Sequence, residues 1–394
     1  MLKFEYMRVV FQRARQTEML RALAFAIVLF VILGQIAIRF DLVRAVGQIP
    51  AQNVLGQLEH STTPTFSPDL TESTFSSNNS GTIGSLGFDL PGDTGIDYVN
   101  HRMFIADALN NRILVFDLNE SNEIVDYEAD YVLGQVDFST NDVGVDAISL
   151  NTPIYLVVDQ NNERLFVSDT NNNRVLVFDI SNVSNGQVAI NVLGQVDFES
   201  ADGHLKDTGL NQPLGIALDS GGTNLFVADS QNNRVMVFDV SEILNGEPAV
   251  NVLGQIDGFE VGTSGSGDTF LNTPYDLTYE SSTDSLFVAD SQNNRVMVFD
   301  VSSITDGEPA VNVLGQTDFE TTSGGVGNFG LNVPQGLEVA GGSLFVADSG
   351  NNRVMVFDVE DIVSGESAVN VLGQVDFDSL DFDWPNNSLQ IFGS

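Results

Sequence analysis

From residue 91 onward, runs of four to six apolar residues alternate with short polar breaks, and the whole arrangement returns about every 60 residues. One unit shows the pattern plainly. Pro213-Leu-Gly-Ile-Ala-Leu-Asp219 is a first run, closed by a Ser-Gly-Gly-Thr-Asn turn. Leu225-Phe-Val-Ala-Asp229 is a second, and a short Ser-Gln-Asn-Asn connection leads to a third, Arg234-Val-Met-Val-Phe-Asp239. A looser connection containing Asn245-Gly246 precedes the fourth, Ala249-Val-Asn-Val-Leu-Gly-Gln255. Such runs, rich in Val, Phe, Leu and Ile and bounded by Gly, Asn, Asp and Pro, predict strands. The second and third runs are apolar at nearly every position, so both of their faces should be covered. A helix would need a 3.6-residue stripe, and no window keeps one.

The second and third runs return almost unchanged five times, beginning at Met103, Leu165, Leu225, Leu286 and Leu344. Leading prolines stand at Pro91, Pro153, Pro213, Pro274, Pro334 and Pro385. Tandem repetition makes each unit one structural element that packs on the next. Four-stranded antiparallel units with both faces covered predict the blades of a β-propeller. A β-sandwich would alternate inside and outside positions, and a parallel solenoid would use a shorter repeat. The fold class is therefore all-β. A fourth-strand copy, Asn53-Val-Leu-Gly-Gln57, precedes the first full unit, and a first-strand copy, Pro385–Phe392, follows the last. These predict five complete blades plus a partial sixth, as in a truncated chain. The alternative is a five-bladed ring with two spare terminal strands, whose open edges could pair with another subunit.

The unit motif is best seen as Pro213-Leu-Gly-Ile-Ala-Leu followed by Leu225-Phe-Val-Ala-Asp-Ser-Gln-Asn-Asn-Arg-Val. It resembles the NHL-repeat family of propellers over about residues 91–374, with five tandem copies matching at the marker positions. The units here are longer than the family's usual repeat, mainly between Gly-Gln and the next Pro.

The segment before the repeats has a different character. Ala22–Ile38 holds one polar side chain, Gln35, and as a helix would cover about 25 Å, slightly short of a bilayer core. Residues 22–44 are expected to form a transmembrane helix or signal-anchor preceded by a basic cytoplasmic leader, 1–21, with the body exported. The alternative is a signal peptide cleaved near Ala45-Val46-Gly47, leaving a secreted body. Residues 45–90 read as a Ser/Thr/Asn-rich linker carrying the strand at 53–57, residues 91–374 as the propeller, and residues 375–394 as a partial terminal repeat.

Charge follows the same division. The chain has 15 basic and 54 acidic residues, of which seven and three lie within residues 1–50, leaving 8 against 51 and a net charge of −43 beyond them. A body this acidic repels nucleic acid and anionic surfaces. There is no cysteine, so neither disulfides nor thiolate metal sites are available.

Five of the eight basic residues of the body occupy one place, the Arg of Asp-x-x-Asn-Asn-Arg. The pairs are Asp107/Arg112, Asp169/Arg174, Asp229/Arg234, Asp290/Arg295 and Asp348/Arg353. Each Asp ends a strand and each Arg begins the next, so an ion pair across a tight hairpin is expected, with a structural role because every unit has one. The alternate oxygens of Asp169-Thr-Asn171-Asn-Asn173 suggest a calcium loop, but Arg174 stands where such a loop needs Gly and no bidentate Glu follows. His60, His101 and His204 fall on dissimilar elements, no Gly-x-Ser-x-Gly elbow precedes a helix, and no paired acids of the paraoxonase or strictosidine-synthase kind stand out on the first strands. No cofactor or metal is expected.

The connections Val136–Asn151, Val196–Asn211, Ile256–Asn272 and Thr317–Asn332 differ in sequence and share a rim with the Asp-Arg turns. Variable loops on a rigid frame are where binding surfaces sit. Their Phe138, Phe198, Phe259 and Phe319 read as plugs between blades. The expectation is a non-catalytic binding scaffold for a protein, peptide or carbohydrate ligand on this rim, held to the membrane through residues 22–38. Two other readings stand beside it: a metal-dependent lyase or hydrolase with a central site, and a surface protein that self-associates through its terminal strands.

Overall fold

The computed structural model describes residues 87–380 except 127 and 257. The expected hydrophobic helix within 22–44, the strand at 53–57, the first-strand copy at Pro385–Phe392 and His60 lie outside the described residues. No helix among the described residues is long and apolar enough to cross a membrane.

Among the described residues twenty strands form five four-stranded sheets, each an antiparallel meander in sequence order. The first sheet holds β1 (Pro91–Asp97), β2 (Arg102–Asp107), β3 (Arg112–Asp117) and β4 (Tyr131–Leu133). The second holds β5 (Pro153–Asp159), β6 (Arg164–Asp169), β7 (Arg174–Asp179) and β8 (Asn191–Leu193). The third holds β9 (Pro213–Leu218), β10 (Asn224–Asp229), β11 (Arg234–Asp239) and β12 (Asn251–Leu253). The fourth comprises β13 (Pro274–Glu280), β14 (Ser285–Asp290), β15 (Arg295–Asp300) and β16 (Asn312–Leu314). The fifth comprises β17 (Pro334–Ala340), β18 (Ser343–Asp348), β19 (Arg353–Asp358) and β20 (Asn370–Leu372).

The central hairpin is regular, with Leu225 opposite Phe238 and Asp229 opposite Arg234. The first strand of every sheet carries an irregularity just after its leading proline. The fourth strand is shorter than its apolar run suggests, with only Asn251–Leu253 in the ladder. The flanking residues have other partners. Ala249 donates its N–H to Asp207 O, and the Gln255 amide donates to Asn233 O and Thr263 O.

Both faces of the central hairpins are covered, as their unbroken apolar runs require. Four apolar clusters each join two successive sheets. Phe104, Phe166, Phe226 and Phe287 are sealed in these junctions. Burying such a ring is worth about 2–3 kcal/mol, whereas a hairpin alone is barely stable. The stack, not the single blade, is the folding unit. First strands of successive sheets pack on one another from β1 through β5, β9 and β13 to β17, which places them innermost.

The outer strands are also stitched to the following sheet. The N–H groups of Val132, Val192, Val252 and Val313 donate to Asn185, Asn245, Asp306 and Ser364 side chains of the next sheet. Val371 instead donates to Asn370 of its own strand. On the trailing face of the fifth sheet Phe345 is only half-buried. The leading face of the first sheet forms a small cluster of its own, with Ile105, Leu114, Phe116, Ala129 and Val132 flanked by Phe88, Met103 and Phe138.

Candidate functional site

Each Asp-Arg turn is one tight piece of chain. After Asp229, Ser230–Asn232 make a single 3-10 turn, and Asn233 takes the left-handed conformation (φ 55°, ψ 43°) with its N–H on Ser230 O. Asn tolerates that region better than other residues with a side chain, and all five units place Asn there. The Asn233 carboxamide then reaches outward in both senses, accepting Thr273 N–H and donating to Gly262 O.

The strand pairing brings each predicted Asp against its Arg. Nε to Oδ2 distances are 2.7 Å for Arg112–Asp107, 2.7 Å for Arg174–Asp169, 2.6 Å for Arg234–Asp229, 2.7 Å for Arg295–Asp290 and 2.7 Å for Arg353–Asp348. All ten side chains are buried. Asp229 also accepts Asn211 N–H at 2.7 Å and the Asn232 amide at 2.9 Å. Burial pushes the Asp290 carboxyl up to about 6, with Arg295 opposing. The other four acids are raised in the same direction for the same first cause.

The remaining guanidinium nitrogens bind backbone carbonyls of two loops. Arg234 donates to Phe259 O in the outgoing connection and to Lys206 O and Gly209 O, both at 3.0 Å, in the incoming one. Arg174 joins Phe198 O to Asp146 O and Ser149 O, and Arg295 joins Phe319 O to Gly267 O and Phe270 O. Arg112 joins Phe138 O to Gly87 O, and Arg353 joins Phe377 O to Gly330 O. The repeated Phe thus serves the turn through its carbonyl. The rings of Phe198, Phe259 and Phe319 are partly buried against the apolar junctions.

The calcium geometry does not form. Asn172 presents its amide N–H to Asp169 Oδ2, the oxygen that Arg174 also holds, so donors stand where a calcium ion would need oxygens. His101 sits in the β1–β2 turn against Asn122, and His204 lies in the second-to-third-sheet connection against Asp202 O. Among the described residues no group of three or more His, Cys, Asp or Glu is placed to hold a metal ion.

A second constellation escaped the sequence reading. Two residues after the leading proline, the five first strands carry Asp93, Tyr155, Gly215, Asp276 and Gly336. The Asp276 carboxyl accepts N–H from Leu277 at 2.8 Å and from Leu337 of the next sheet at 2.8 Å. Asp93 does the same with Thr94 at 2.7 Å and Leu156 at 3.2 Å. Burial raises Asp93 to about 7 and Asp276 well above the usual carboxylate range, with Glu338 adding to both and Asp93 adding to Asp276. Tyr155 and Tyr275 meet edge-to-face, with ring centroids 6.3 Å apart. The signal that could have found this place is the departure of one aligned position from fivefold repetition.

Five radially stacked four-stranded meanders with their first strands innermost define a β-propeller. No family model matches the chain. It is similar to NHL repeat-containing protein 2 of Bos taurus, 29% identical over 169 residues, and of Homo sapiens, 30% identical over 165; each match covers 39% of this chain and 21% of the relative. The chain thus matches about a fifth of the length of these curated relatives. Among solved structures, one described as the crystal structure of a nidogen/laminin complex aligns with a TM-score of 0.45 at 16% identity, over 73% of this chain and 85% of that one. That alignment adds nothing to the architecture above. The tandem Asp-x-x-Asn-Asn-Arg units, the bladed fold and the likeness to curated NHL repeat-containing proteins together support an NHL-repeat β-propeller.

Proposed function

We propose that the protein is a membrane-anchored, extracytoplasmic scaffold that binds a protein, peptide or glycan on its loop rim without catalysing a reaction. One observation carries this reading: connections that differ in sequence between their shared Phe and Leu-Asn positions are held in equivalent places by near-identical buried turns. Loops 196–211 and 256–272 share the Arg234 anchor, yet expose different side chains. Support for the anchor comes from the apolar run at 22–38 and its basic leader. The test uses full-length protein in detergent as bait, beside a variant whose loop 256–272 carries the sequence of 317–332. A partner retained by the wild type and lost on the exchange, with the melting temperature unchanged, supports the rim. No recoverable partner, or one indifferent to every loop exchange, refutes it. Alkaline extraction tests the anchor, since release of the intact chain from membranes would exclude it.

A further reading concerns the outer faces of the fifth and first sheets. We propose a sixth, partial sheet there, with Pro385–Phe392 as its first strand and Asn53–Gln57 as its fourth. Half-buried Phe345 and the self-satisfied Val371 N–H favour it, because the matching groups of the other four sheets are covered by a successor. Deleting residues 385–394 should lower the melting temperature; an unchanged midpoint would remove this reading.

A further inference from the structure

Every turn aspartate sealed within the blades meets a guanidinium, but the acids at the propeller axis are arranged differently. Asp93 and Asp276 are held by backbone N–H groups alone, two each. A carboxylate offers about four acceptor directions, so each keeps capacity toward the centre. Asp276 is only 2% exposed. A charge so enclosed needs a proton or a cation as its complement.

The centre contains a second, independent sign of a ligand. The Tyr155 hydroxyl belongs to a residue 2% exposed and has no hydrogen-bond partner among the described residues. Tyr155 stands two residues after its leading proline, the same place on its innermost strand that Asp93 and Asp276 hold on theirs. Gly215 lets the third sheet lie close against Asp276: a Cβ there would lie 2.5 Å from Asp276 Cα and 2.5 Å from its Oδ1.

We propose that the propeller axis binds a primary ammonium group between Asp93 and Asp276, with the Tyr155 hydroxyl as third acceptor. Three N–H donors match these three acceptors, and the paired Tyr155 and Tyr275 rings offer an aromatic wall to a cation and its methylenes. Among the described residues no group of three or more His, Cys, Asp or Glu is placed to hold a metal ion, so an organic cation is the complement argued for. The titratable groups facing the centre are Asp93 from β1, Tyr155 from β5, Tyr275 and Asp276 from β13 and Glu338 from β17, while β9 contributes none. Burial raises both aspartates, so without ligand a proton takes the cation's place. Binding displaces that proton, and affinity rises with pH.

The experiment is calorimetric titration of the full-length protein in detergent with n-butylammonium chloride at constant ionic strength. Saturable binding is expected at about pH 8.5, weaker by at least about tenfold at about pH 6. Asp276→Asn should weaken it at least about tenfold. Tyr155→Phe should weaken it several-fold without lowering the melting temperature, so this variant decides if Asp276→Asn fails to fold. Tetramethylammonium, which has no N–H donor, and calcium chloride should bind far more weakly. Absence of saturable butylammonium binding at the higher pH, unchanged affinity in Tyr155→Phe, or equal binding of either control cation would overturn the proposal. The rim-loop exchange leaves this site intact, so the two readings stand or fall separately.

Discussion

Replacing Arg234 by alanine removes a fully buried guanidinium that serves three elements at once. Asp229 loses its Nε partner at 2.6 Å, and the carbonyls of Phe259, Lys206 and Gly209 lose their donors. Stranding a buried charge of this kind costs about 3–5 kcal/mol. The two loops open enough for water to reach the carbonyls, which keeps the total near that range. For a body of this size about 2 °C accompanies each kcal/mol, so the melting midpoint should fall by roughly 6–10 °C. Calorimetry or thermal circular dichroism reads that shift. Hydrogen exchange should localise it, with protection lost in 198–211 and 256–272 before the distant sheets respond. Adding Asp229→Asn to Arg234→Ala should restore about 1–2 kcal/mol, because the unpaired charge disappears while the carbonyls stay unmet. A midpoint within about 1 °C of wild type would refute the anchoring role. So would an unchanged midpoint accompanied by lost ligand binding, which would make Arg234 part of a recognition surface.

Three further outcomes are expected. Asp93 and Asp276 have folded pKa values above their unfolded ones, so their contribution is complete below about pH 4 and is lost as pH rises through the folded values. The melting temperature should therefore fall between about pH 5 and 8, and Asp276→Asn should flatten that slope; parallel slopes in the two proteins would contradict it. Gly215→Ala places a methyl against the Asp276 backbone at 2.5 Å and should cost about 1–3 kcal/mol in urea unfolding, whereas a neutral effect would show that the first strands can part freely. Phe287→Ala, at a sealed junction, should cost about 3–5 kcal/mol and Phe345→Ala about half as much, measured by the same urea titration; equal losses would mean that both rings are equally enclosed.

Much of the blade is readable in the residues because its determinants are local. Unbroken apolar runs such as Leu225–Ala228 mark strands covered on both sides, and Asp-x-x-Asn-Asn-Arg marks the turn between them. The length of the fourth strand was not readable. Ala249 and Gln255 look like strand residues, but their hydrogen bonds go to loops that only the folded chain brings near. The acceptors of each Arg were hidden for a related reason. They are main-chain oxygens of Phe259, Lys206 and Gly209, and a carbonyl leaves no trace in the residue type. At the axis, Asp93 and Asp276 are separated by three repeats, and neither has a motif around it. Their shared place on the innermost strands follows from ring geometry alone, which a linear pattern does not contain.

Anchoring by carbonyl oxygens has a consequence for how such a surface can diversify. A clamp that grips only main chain is indifferent to the side chains it secures. Insertions, deletions and substitutions between the gripped points alter the exposed surface without loosening its frame. The rim is in this sense a set of interchangeable inserts. A combinatorial library confined to Glu260, Val261, Ser264 and Ser266, leaving the gripped Phe259, Gly262, Thr263, Gly265, Gly267 and Phe270 untouched, should present new surfaces on an unaltered chassis.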